Sequence, residues 1–409
     1  MARLKPDPSG SQPDRERQIF LHFFYFFISH EQRARYYNIA AGSFFTEDSY
    51  LGDIREPLTL NRYVYCEGNP VNYKDPSGKS VENDIMKAVM NDRSIPDDEK
   101  GNAIDRRIRH YLALWKLNDS NATFDYVMQF DYSNSKYLEE IENRAALYSA
   151  YTYCSDNVGA DFRRYYEKYG YISADEYLIS EKTLTDIGWQ ADLSEVRMYT
   201  INMMLIEFEI NTPERLRHFF TQVLIESGQG KYLREGEYLL NQEDYTQEKY
   251  EEYYNNRYLN GEAGYAYIDR GVGYIQSTFT YNQQSFAVYL FLLDYPDSNI
   301  HPVPSAHFNK EQIATEYERM FQYAIENGID SSEYSNIVTL GTDYIAENYP
   351  WDVTGYWWIS YDMNKLVDGL KPGDSQEVDK VTDEVNYNLG RDKRDLRIEK
   401  YKDIAPFIQ

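Results

Sequence analysis

Apolar residues recur at helical spacing through most of this chain. Leu216, Phe219, Phe220, Val223 and Leu224 fall on one face at intervals of three and four, which predicts a helix. Its ends are marked as well. Thr212 suits the N-cap, Pro213 the first helical position, Glu214 the positive helix end and Gly228 the stop. The same period runs through Ile104, Ile108, Tyr111, Leu112 and Trp115, through Leu138, Ile141, Ala145 and Tyr148, and over about 193–206. Residues 33–80 differ: aromatic positions alternate between Gly, Asn and Pro turns, which predicts short strands. An apolar aromatic run at 19–28 is too short to cross a bilayer, is interrupted by His22 and lacks a small-residue cleavage site. No membrane insertion and no signal peptide are expected from it; it reads as a truncated gene start or a remnant of a larger upstream part. The expectation is a mainly α protein, with a short β-rich segment ahead of the helices and room in 409 residues for two or three domains.

Charge narrows the choice of partners. Lys and Arg number 42 against 67 Asp and Glu, a net charge of −25. Binding to nucleic acid rests on Lys and Arg displacing counterions from phosphates, so no nucleic-acid partner is expected. The 42 tyrosines are spread evenly, which favours composition bias over a stacking platform. Cys66 and Cys154 are far apart and supply neither a disulfide framework nor zinc spacing. The six histidines (22, 30, 110, 218, 301, 307) form no H-x-x-x-H pair, so no metal and no cofactor are expected, and His218 reads as a packed or capping residue.

The candidate chemistry lies in two stretches. Glu226 follows Val223 by three positions and Phe219 by seven, so it belongs to or flanks the buried stripe of its helix. Lost hydration and the negative helix end both push such a carboxyl group toward its protonated form, the direction a general acid requires. Taken by itself, the helix favours a solvated Glu in the last turn. Glu235 follows nine positions later, and Glu237 two beyond that, on the same face if the segment is a strand. The second stretch, RGVGYIQSTFTYN, carries Gln276, Thr278 and Asn282 among glycines. Glycine lets backbone approach a sugar ring, and amide side chains both donate to and accept from hydroxyl and N-acetyl groups, although an ordinary turn has the same composition. Two carboxyl groups in unlike environments beside a polar wall suit glycosidic bond cleavage.

These stretches resemble the glycoside hydrolase family 19 chitinases and their lysozyme-like relatives. Phe219, Gln222, Glu226, Ser227 and Gly228 match the family's F-x-x-Q-x-x-H-E-[ST]-G helix, with Ile225 in place of His. Gly271, Gly273, Ile275, Gln276, Thr278 and Asn282 match its sugar-lining segment, with Val272 in place of Arg. Downstream, Gly355, Trp357, Trp358, Asn364, Leu366 and Asp368 fit its aromatic helix, in which the Trp pair reads as core. Val381, Thr382, Val385, Asn386, Arg397 and Tyr401 fit its closing block, with Tyr387 and Asn388 replacing two glycines. The resemblance covers roughly 180–409. It implies that Glu226 is the general acid, that Glu235 activates water, and that Gln276, Thr278, Asn282 and Asn386 bind substrate; Glu237, two residues on and so on the strand face of Glu235, is the fallback base.

A second resemblance lies upstream. Arg35-Tyr36-Tyr37, Gly42, Phe44, Glu47-Asp48, Asn61-Arg62-Tyr63, Asn69-Pro70 and Asp75-Pro76-Ser77-Gly78 resemble the C-terminal end of an RHS repeat-associated core domain. One such repeat cannot bury its own face without stacked neighbours. The spacing Pro70-x-x-x-x-Asp75-Pro76-x-Gly78 resembles the motif at which some RHS proteins cut themselves, with possible autocleavage at Asp75; Lys79 follows where Leu is usual, and a plain turn is the other reading.

Together these imply an unassigned segment over 1–32, an RHS repeat over 33–80, a helical spacer over 81–180 and a lysozyme-like helical hydrolase domain over 181–409. The implied activity is inverting hydrolysis of β-1,4 bonds in an N-acetylglucosamine-containing polymer, peptidoglycan ahead of chitin. The chain would be the toxin end of a larger secreted or cell-surface RHS protein, with a polysaccharide substrate and a cognate immunity protein as partners. A degenerate wall-glycan-binding module and an RHS cell-surface structural protein are the alternatives.

Overall fold

The computed structural model describes residues 29–32, 35–38, 43–44, 81–153, 158–242, 246–257 and 267–409. Near the start, β1 (Ser29–Gln32), β2 (Arg35–Asn38) and β3 (Ser43–Phe44) form an antiparallel sheet in that order. Ser29 lies opposite Asn38 and Tyr37 opposite Phe44. Two of these strands fall inside the segment expected to be β-rich, and β1 precedes it. The aromatic run at 19–28, most of the RHS-like segment including Asp75, and both cysteines lie outside the described residues.

The chain divides into two compact units, Met1–Ala145 and Ala146–Gln409. In the first, α1 (Val81–Asn91), α2 (Lys100–Lys116), α3 (Phe124–Gln129) and the first part of α4 (Ser135–Tyr153) enclose a core of Ile85, Val89, Tyr111, Leu114, Val127, Leu138 and Ile141. Ile104, Ile108, Leu112 and Trp115, which share the helical period, pack against it.

Apart from isolated bridges, the regular elements among the described residues of the second unit are all helices. It runs through α5 (Ala160–Tyr169), α6 (Glu181–Asp186), α7 (Glu195–Glu207), α8 (Pro213–Glu226), α9 (Gln247–Arg257) and α10 (Thr280–Asp294). It continues with α11 (Lys310–Asn327), α12 (Ser332–Thr339), α13 (Thr342–Asn348), α14 (Pro350–Ser360), α15 (Met363–Asp368), α16 (Val378–Val385) and α17 (Arg391–Ile404). Three helices, α7, α10 and α14, are apolar on most faces and form the centre, as a helix hydrophobic all round must. Trp357 and Trp358 are buried there as expected, and Trp358 meets Phe219 edge-on at 5.3 Å.

This unit starts earlier than residue 181, where the hydrolase domain was expected to begin. Phe162, Tyr165 and Ile179 belong to its core. Buried Asn202 of α7 accepts the Ile179 N–H at 2.9 Å and donates to the Ile179 carbonyl at 3.0 Å. Buried Asp161 of α5 accepts the Trp351 N–H at the start of α14 at 3.1 Å. The expected spacer over 81–180 therefore divides, its first part having a core of its own and its last part completing the second. Among the described residues, no helix is long and apolar enough to cross a membrane.

Candidate active site

Helix α8 carries out its sequence pattern from end to end. The Thr212 hydroxyl accepts the Arg215 N–H at 3.3 Å, Pro213 opens the helix, and Leu216, Phe219, Phe220, Val223 and Leu224 are buried. Glu226 is its last helical residue. The following turn uses three left-handed residues, Gly228, Gln229 and Gly230 (φ 58°, 67° and 85°). Glycine is required at 230, because a Cβ there would lie 2.5 Å from the Trp189 ring.

Glu226 anchors a polar network inside this helical packing. Its side chain is 17% exposed, and one oxygen receives the guanidinium of Arg397 from α17, itself only 3% exposed. Arg397 Nε donates to Gln222 Oε1 at 3.0 Å, and its Nη1 to the Lys393 carbonyl at 3.2 Å. Gln222, one turn before Glu226 and fully buried, donates from Nε2 to the Thr382 hydroxyl of α16 at 3.2 Å. Burial is the largest influence on Glu226 and raises its pKa above the ordinary carboxylate value; Arg397 and Lys393 pull the other way, and the nearby charge of Glu235 adds to the rise. Burial prevails, which leaves a carboxyl group biased toward holding a proton.

Glu235 sits on a miniature β arrangement that joins the two stretches singled out in the sequence. Its N–H donates to the Gly271 carbonyl at 2.8 Å, and the Gly273 N–H donates to the Leu233 carbonyl at 2.9 Å. Val272 pairs in turn with Ser277, the two exchanging backbone hydrogen bonds of 2.9 Å. The Gly271 N–H also donates to Glu235 Oε2 at 3.1 Å, so the backbone of the second stretch orients the carboxylate of the first. A Cβ at Gly271 would stand 3.2 Å from Glu235 Cβ and 2.9 Å from Gln276 Oε1, so any side chain there presses on both.

Glu237 does not share a strand face with Glu235. Gly236 turns left-handed (φ 72°) and a 3-10 turn, Glu237–Asn241, follows. The Glu237 carboxylate accepts the N–H groups of Leu233 at 3.0 Å and Arg234 at 3.2 Å and meets Arg234 Nη1 at 3.4 Å, which makes it a brace for the turn.

The other expected site residues divide in the same way. Gln276 takes up φ 59° and folds over the loop, its Nε2 donating to the Gly273 carbonyl at 2.9 Å while its amide oxygen lies over Gly271. Thr278 donates to the Gln276 carbonyl at 2.9 Å. Asn282 is buried, donating to the Thr278 carbonyl at 2.6 Å and accepting the Tyr361 hydroxyl at 3.3 Å, so its amide holds the loop from inside. Asn386 is exposed at the end of α16, one turn beyond Thr382, to whose carbonyl its N–H donates at 2.7 Å.

Reasoning from sequence did not assign a site role to Arg397, the ion-pair partner of Glu226, or to Gln222 and Thr382, which extend the network behind it. The signal for Gln222 was present, one helical turn before Glu226 on the same face. It also missed Phe279, a half-exposed aromatic held at φ 81° and stacked on Tyr281 at 5.7 Å, immediately after Thr278. A bulky residue at positive φ costs energy and points to a functional constraint.

A cavity of about 210 Å³ elsewhere in this unit, lined among others by Arg163, Arg164, Asp294 and Glu333, offers less. Its Asp294 and Glu333 are each bonded by a tyrosine hydroxyl, from Tyr334 and Tyr349, and Arg164 is committed to Asp352. The Glu226–Glu235 pair is the better-formed acid–base candidate. Comparison with known proteins adds no assignment to this geometry: no family model, no curated protein and no solved structure matches the chain.

Proposed function

We propose that the Ala146–Gln409 unit is a glycoside hydrolase acting on β-1,4 bonds of an N-acetylglucosamine-containing polymer, peptidoglycan before chitin. One observation carries the reading: a buried carboxyl group with a raised pKa, Glu226, lies within electrostatic reach of Glu235, whose carboxylate is held by the Gly271 amide. The two have the unlike environments that acid and base require. Glu226 would protonate the leaving glycosidic oxygen as the bond to the anomeric carbon breaks. Glu235 would take a proton from water as that water attacks the opposite face, giving inversion. The resemblance to family 19 chitinases assigns the same two roles to the same two residues. Gln276 and Thr278 would shape the sugar-facing loop, Asn282 would support it from within, and exposed Asn386 would contact substrate.

The RHS-like segment extends the proposal: this chain would be the toxin end of a larger secreted or cell-surface protein, released after the Asp75 motif and neutralised by an immunity protein. Peptidoglycan is favoured on that analogy alone.

The Arg397 ion pair and Ile225, which replaces the family's His, favour a second reading, a wall-glycan-binding module that no longer cuts. Incubation with purified peptidoglycan sacculi and with chitin separates the two. The hydrolase releases soluble reducing ends; the binding module sediments with the polymer and releases none.

A further inference from the structure

We propose that Asp343 is a positioning residue for Glu235, holding together the two backbone segments that orient its carboxylate. Asp343 lies in the first turn of α13, and its Oδ1 accepts two guanidinium groups, Arg234 Nε at 2.8 Å and Arg270 Nη2 at 2.5 Å. Arg234 directly precedes Glu235, and Arg270 directly precedes Gly271, whose N–H holds the Glu235 carboxylate. One carboxylate oxygen thus ties the segment that carries Glu235 to the segment that aims it.

The link also reaches Glu235 by a second route. Arg270, fully buried, donates from Nε to the Tyr250 hydroxyl at 3.1 Å, and that hydroxyl donates to the Glu235 carbonyl at 2.5 Å. With the Glu235 N–H bonded to Gly271, both backbone polar groups of this residue are fixed. The neighbouring Thr342 strengthens the anchor: its hydroxyl lies 2.6 Å from the Arg270 carbonyl and 2.8 Å from the Ile268 carbonyl. Arg234 has other acceptors in Glu237 and Glu347, and Arg270 has the Tyr267 carbonyl, so each arginine stays hydrogen-bonded without Asp343. What its loss removes is the acceptor the two share. The two cations facing each other would then repel, and the paired segments would separate.

This inference rests on the hydrolase reading in one respect, that Glu235 is the base. A base displaced by about 1 Å from its water costs up to about 100-fold in rate. The test uses the full chain with Asp343→Ala and Asp343→Asn, beside wild type and Glu235→Ala. Backbone hydrogen exchange over 232–237 and over 216–224 is measured, together with kcat and KM on solubilised peptidoglycan. Asp343→Ala is expected to speed exchange over 232–237 about tenfold while leaving 216–224 unchanged. Its kcat should fall roughly 10- to 100-fold with KM within about twofold. Asp343→Asn, which keeps an acceptor oxygen, should fall between and also serves if the alanine variant does not fold. Wild-type exchange over 232–237 in both variants overturns the proposal, as does wild-type kcat in both while Glu235→Ala is inactive. Faster exchange in a protein whose wild type cleaves no glycan upholds the clamp and removes Glu235 as a base.

Discussion

Replacing Arg397 with Met keeps most of the side-chain volume and removes the charge that faces Glu226. The wild-type pair is well shielded, with side chains 3% and 17% exposed. Breaking a buried pair by removing one partner costs about 3–5 kcal/mol, because the remaining charge is left without compensation. Gln222 Oε1 would lose its Arg397 donor as well. For a unit of this size each kcal/mol corresponds to about 2–4 °C, so the melting temperature should fall by roughly 10 °C at pH 8. The loss must depend on pH. Arg397 is the strongest influence lowering the Glu226 pKa, so its removal lifts that pKa further above the unfolded value. A carboxyl group raised in the folded state contributes stability below its unfolded pKa and loses it as pH rises through the folded one. The deficit of Arg397→Met should therefore be smaller at pH 5 than at pH 8. Adding Glu226→Gln to Arg397→Met should recover most of the deficit at pH 8, since the group then has no charge to strand. Thermal melts of wild type, Arg397→Met, Glu226→Gln and the double variant, followed by circular dichroism at both pH values, measure this directly. An Arg397→Met protein that melts within 2 °C of wild type at pH 8, or a double variant no more stable than the single, would refute the coupling.

Two further outcomes follow from the same packing. His218 is buried against Tyr401 with Nδ1 unpartnered and Glu214 3.9 Å from its Nε2, and burial depresses its pKa to about 4. Its contribution should be complete above pH 6.5 and lost as pH falls toward 4, on the order of 3 kcal/mol, and His218→Phe should flatten that part of a pH-stability curve from chemical denaturation. Gly271→Ala should cost about 1–2 kcal/mol by overpacking and lower kcat about tenfold, because the new methyl group displaces Glu235; unchanged kcat would show that Gly271 does not set the carboxylate.

What could be read from the sequence was local. Helix α8 follows from five apolar positions, a Thr-Pro start and a Gly stop, each of which acts within a few residues, and so does the place of Glu226 beside the apolar stripe, although the helix by itself favours a solvated carboxylate there. The partner of Glu226 does not: Arg397 is 171 residues away, and only the packing of α17 on α8 brings it in. The expected strand at 235–237 failed at Gly236, where a left-handed turn allows Glu237 to fold back on the amides of 233 and 234. The start of the second unit was missed because the contacts that define it, Asn202 with Ile179 and Asp161 with Trp351, join segments that carry no mutual signal in sequence.

The most direct test of the account is the rate of reducing-end release from purified peptidoglycan by wild type and by Glu226→Gln, each confirmed folded by circular dichroism. The amide retains an acceptor for Arg397 but has no proton to give, so the variant should bind sacculi as wild type does while hydrolysis falls about 100- to 10,000-fold. A folded Glu226→Gln protein that cleaves at the wild-type rate would contradict the assignment of Glu226 as the general acid, and with it the proposed mechanism.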